Sequence, residues 1–165
     1  MKQRIRNLLM IQISFKKLYG YLTAFTLILP FLYAVYLFLT MMREKTDFHT
    51  LLLSHPLYSV MFMGVMLNLF WGYLLFQLSH DLDNTEGRNF SYGVLALLSI
   101  CQFLVGNVVT AIMSIFVMMH ADAQLKDSFS IRHLLHYRLF SAIATALVLF
   151  SLLCSFALVR LTFFT

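Results

Sequence analysis

Four long apolar stretches fill this chain, at roughly 18–42, 57–79, 92–119 and 139–159, and none contains an Asp, Glu, Lys, Arg or His. A bilayer core is crossed by about 20 apolar residues of helix, and each stretch supplies that length. The backbone in hydrocarbon must satisfy its own hydrogen bonds, so the expected spanning element is the α-helix. The expected fold is therefore all-α. Four transmembrane helices in an up-and-down bundle (18–165) follow a short basic N-terminal segment (1–17) that lies in the membrane interface.

Composition supports that class. The 165 residues are 61% hydrophobic and 12% charged, against about 25% charged in soluble domains. The spans and their loops use almost the whole length, which leaves no room for a sizeable soluble domain. The first apolar run exceeds the 7–15 residues typical of a signal-peptide core and no A-x-A-like site follows it, so it reads as a retained span.

Charge is distributed unevenly. Lys2, Arg4, Arg6, Lys16 and Lys17 precede the first span with no acidic residue among them. In a chain this apolar, such a cluster reads as a topology signal and a contact with lipid headgroups rather than as a nucleic-acid site. It predicts a cytoplasmic N-terminus in a plasma (inner) membrane. Four spans would return the C-terminus to the same side. Lys and Arg would then divide seven to five, with Arg88 and Arg160 joining the tail against Arg43, Lys45, Lys126, Arg132 and Arg138.

Small and polar residues recur at helical spacing inside the apolar stretches. Gly64, Asn68 and Gly72 fall at steps of four in the second, and Gln102, Gly106, Thr110 and Ser114 in the third. Small residues let membrane helices approach closely, and amides or hydroxyls bond across the contact. These stripes are expected to form helix-packing faces within the bundle or a face for a partner subunit. Pro30 predicts a kink in the first span.

Chemistry is sparse. Pumps and ion-coupled transporters keep an ionisable group at membrane depth, and this chain has none there. Cys101 and Cys154 are far apart and form no C-x-x-C pair. P-loop, dinucleotide, nucleophile-elbow and H-E-x-x-H patterns are absent. The one constellation with chemical potential is a layer of span-end groups: His55, His120, Asp122, His133 and His136. With four spans these would share the outer side, where imidazoles and carboxylates could hold a metal ion, move protons or ligate haem. No cofactor is expected; interfacial histidine is the plainer reading of each.

The function expected on this basis is that of a small integral membrane accessory or regulatory subunit without catalysis of its own. Its partners would be the lipid bilayer and a membrane protein or a second copy of itself. The alternative is a membrane-embedded redox, metal- or lipid-handling enzyme using the outer His/Asp layer.

Overall fold

A computed structural model describes residues 14–121 and 137–163, which are helical apart from short connections. The elements are α1 (Phe15–Glu44), α2 (Phe48–Ser54), α3 (Pro56–Leu78), α4 (Thr85–Leu104), α5 (Val108–Met119) and α6 (Arg138–Phe163), with a short 3₁₀ turn at Ser79–Asp81. Three helices are long and apolar enough to cross a membrane: Phe15–Glu44, Pro56–Asp81 and Arg138–Thr162. They cover the first, second and fourth apolar stretches. The first begins three residues earlier than its apolar run, so Lys16 and Lys17 belong to the opening turn of α1 and not to a separate segment. Residues 1–13 lie outside the described residues.

The third stretch departs from expectation. Instead of one helix over 92–119 there are two, α4 and α5, which double back on each other. The break is local chemistry. Gly106 adopts φ 83°, the left-handed conformation that glycine takes without steric cost. It ends α4 as a Schellman cap, with the Gly106 N–H donating to Phe103 O at 3.1 Å and the Asn107 N–H to Gln102 O at 2.8 Å. Asn107 then caps α5, its side-chain oxygen accepting from the Thr110 N–H. A stop and a start stand side by side.

The two arms are antiparallel, since Tyr92 in α4 packs with Met118 and Ala121 at the end of α5. That cluster includes Phe15, so both ends of the hairpin return to the start of α1. Lys16 reaches Asp83 at 2.8 Å, and Tyr137, just before α6, stacks on Phe90 at 4.8 Å between centroids. This proximal end therefore holds the start of α1, the end of α3, both ends of the hairpin and the start of α6. The distal end holds α2 and the α1–α3 connection, where Tyr36 meets Tyr58.

Within the bundle α3 packs between α1 and α6, and the hairpin lies across them, α5 towards α1 and α4 towards α6. The α3 helix runs antiparallel to α4, with Gly64 against Val105 and Asn68 against Gln102. By contrast α6 runs parallel to α4, because Phe90 pairs with Tyr137 and Cys101 lies beside Ser151. Thus α6 carries the chain from the proximal end to the distal end. The described ends of the chain lie at opposite ends of the molecule, unlike the up-and-down arrangement expected of four spans.

The core is Tyr19 and Leu22 of α1, Trp71, Leu74, Leu75 and Leu78 of α3, Leu95 and Leu98 of α4, and Leu147 of α6. It lies in the proximal two-thirds, where the hairpin fills the bundle. Near the distal end Leu51 of α2 is fully buried, while Leu53 of the same helix is exposed.

Candidate functional site

The polar residues of the third apolar stretch converge at the hairpin tip. The Asn107 Nδ2–H donates to Gln102 Oε1 at 2.9 Å, and the Gln102 Nε2–H donates to Asn68 Oδ1 at 2.5 Å. The orientation of the three amides follows from the backbone. The Thr110 N–H can only donate, so the Asn107 atom it faces at 3.5 Å is oxygen. That choice fixes Gln102, and Gln102 in turn fixes Asn68. The relay runs in one direction and ends at Asn68 Nδ2.

The remaining stripe residues surround this relay. A Cβ on Gly64 would fall 2.6 Å from Val105 Cγ1, and one on Gly72 would fall 2.7 Å from the Leu27 side chain. Both glycines let helices approach, Gly64 towards the hairpin and Gly72 towards α1. Thr110 and Ser114 are fully buried, the Ser114 hydroxyl donating to Thr110 O at 2.8 Å. All seven predicted stripe residues thus sit at contacts between helices of this chain or at the hairpin turn. Sequence reasoning missed Asn107, whose signal was its place directly after a glycine.

The tip borders a cavity of about 190 Å³ between α1 and α3, lined by Leu29, Gly64, Asn68, Val105, Gly106 and Asn107 among others. A second, almost wholly apolar hollow of about 510 Å³ runs between the hairpin arms, with Tyr92, Ala96, Ser99 and Phe103 on one side and Ala111, Ile115 and Met118 on the other.

Of the histidine layer, the two members among the described residues, His55 and His120, lie at opposite ends of the molecule. His55 caps the start of α3 at the distal end and packs edge-on against Tyr58 at 5.4 Å. His120 follows α5 at the proximal end, with its ring 4.7 Å from Phe116 and Nδ1 3.0 Å from Phe116 O. The reason is the hairpin: a single span would have carried His120 across to the side of His55, and the reversal returns it. Asp122, His133 and His136 lie outside the described residues, as do Lys2, Arg4 and Arg6. Among the described residues no group of three or more His, Cys, Asp or Glu side chains could hold a metal ion. Of the basic cluster, Lys16 is engaged by Asp83 and Lys17 is exposed.

At the same proximal end, burial first and then the Asp81 and Glu86 carboxylates push the Tyr137 phenol above its ordinary range. The chain matches no family model, no curated protein and no solved structure.

Proposed function

We propose that this protein is a small accessory or regulatory subunit of the plasma (inner) membrane, acting through helix contacts with a larger membrane protein and carrying no catalysis of its own. One observation supports the reading above others. Tyr21, Ala24, Ile28, Phe31, Val35, Phe38 and Met42 recur along α1 at alternating steps of three and four, and all are exposed. That is the a/d spacing of a seam into which a second helix packs. The stripes at Gly64–Gly72 and Gln102–Ser114 are occupied by internal contacts, and the α1 seam is the face assigned here to docking.

The proximal end is assigned to the cytoplasm. Among the described residues it carries Lys16, Lys17, Arg88 and Arg138, and the distal side carries Arg43, Lys45 and Arg160. That is four basic residues against three, the sense of the positive-inside rule for a cytoplasmic proximal end.

The test is purification in mild detergent with identification of everything that comes along at stoichiometric amount. A membrane partner that is retained by the native chain and lost on Phe31→Ala with Phe38→Ala supports the reading. A lone monomer, or a partner unaffected by the seam variants, overturns it. Self-association lost on the same substitutions would assign the seam to a second copy of the chain.

A further inference from the structure

The geometry points to a hydrated binding site at the hairpin tip, forming the floor of a recess that opens to the distal side, where the Asn68 carboxamide donates to an acceptor oxygen supplied by water. Three observations carry this. First, the amide relay is polarised by the Thr110 N–H, and it leaves Asn68 Nδ2 as a donor with no acceptor among the described residues. Asn68 is 1% exposed and lines the 190 Å³ cavity. An amide donor that faces a cavity holding no acceptor costs about 1–3 kcal/mol, and this cavity has room for several waters at about 30 Å³ each.

Second, the tip exposes backbone. The first turn of a helix leaves its N–H groups without intrahelical partners. In α5 the Thr110 N–H is taken by the Asn107 side chain and the Ala111 N–H by Asn107 O. Those of Val108 and Val109 have no acceptor among the described residues, and the two residues are 45% and 58% exposed. Lipid tails cannot satisfy such groups, and non-helical backbone at membrane depth is tolerated where it is covered by protein or meets water.

Third, the hairpin stops short. Its tip is level with Leu29 and Gly64. Gly64 stands about 21 Å of helix from the proximal end of α3 and only about 12 Å from the distal end. Distal to that level the face of α1, α3 and α6 loses the cover that the hairpin gives it below. Water entering from the distal side has the shorter path.

The experiment uses the full chain in sealed membranes, with Cys101→Ala and Cys154→Ala as background and single cysteines at Met61 (cavity wall), Val109 (tip) and Phe31 (outward apolar face of α1, away from the cavity). A charged, membrane-impermeant methanethiosulfonate is added to either side, and Thr46→Cys identifies the distal one. Thiols react as thiolates, which form only in contact with water. Met61→Cys and Val109→Cys should be modified from the distal side at least about tenfold faster than Phe31→Cys. Rates indistinguishable from Phe31→Cys, or labelling from the proximal side alone, would overturn the proposal. Should Met61→Cys fail to assemble, Val109→Cys at the exposed tip decides alone.

Discussion

Three side chains and one glycine decide the form of the hairpin. Asn68, Gln102 and Asn107 bond in sequence, and Gly106 supplies the left-handed turn between the arms. Asn68→Leu and Gln102→Leu should each cost about 1–2 kcal/mol of stability in detergent, in keeping with interhelical hydrogen bonds in membranes. The double variant should cost less than the two together, because each single change strands the other amide. Full additivity in a denaturation series would show that the two amides are uncoupled. Gly106→Ala meets no steric neighbour, so its cost is backbone strain alone, about 1–2 kcal/mol. Gly87 behaves differently: its Cβ would fall on the Asp81 carbonyl. Gly87→Ala must therefore displace the α3–α4 connection, and it should lower the thermal midpoint more than Gly106→Ala does. Tyr137 adds a pH dependence. Its folded-state pKa is raised, first by burial and then by Asp81 and Glu86. The associated stability is present below the ordinary phenol pKa of 10.0 and is lost as pH rises through the folded value. Tyr137→Phe should remove that alkaline loss, and an unchanged alkaline profile would exclude the phenol as its source.

At the scale of elements, α1, α3 and α6 were legible because hydrocarbon imposes a simple rule, a charge-free apolar run of sufficient length. The third run obeyed the rule and still broke. Run length does not register backbone conformation, and the adjacent Gly106 and Asn107 carry a stop followed by a start. Read as members of a polar stripe at steps of four, Gln102, Gly106, Thr110 and Ser114 belong to one helix; read as cap residues, Gly106 and Asn107 divide it. The stripe at Gly64, Asn68 and Gly72 was legible as a close-packing face, but which helix it meets was not, since that depends on the fold-back. The Lys16–Asp83 pair joins α1 to the α3–α4 connection, but its side chains are 57% and 74% exposed. Solvent screens such a pair, so Asp83→Asn should change stability by less than about 1 kcal/mol. A larger, salt-sensitive loss in a denaturation series at two ionic strengths would assign this contact a larger part in holding α1.

For the molecule as a whole, one local break redistributes everything beyond it. With α4 and α5 as a hairpin, three helices among the described residues remain long and apolar enough to cross a bilayer. His55 and His120 part to opposite ends, and Arg160 lies at the end away from Lys16 and Lys17. The separation of His55 from His120 is therefore a consequence of topology that residue spacing alone could not reveal. The most direct measurement is the sidedness of single cysteines at Ser14, Thr46, Asp83 and Thr162 in sealed vesicles of one orientation. The re-entrant arrangement predicts that Ser14→Cys and Asp83→Cys label from one side, Thr46→Cys and Thr162→Cys from the other. Labelling of Thr162→Cys from the side of Ser14→Cys would restore an even number of crossings and contradict the account.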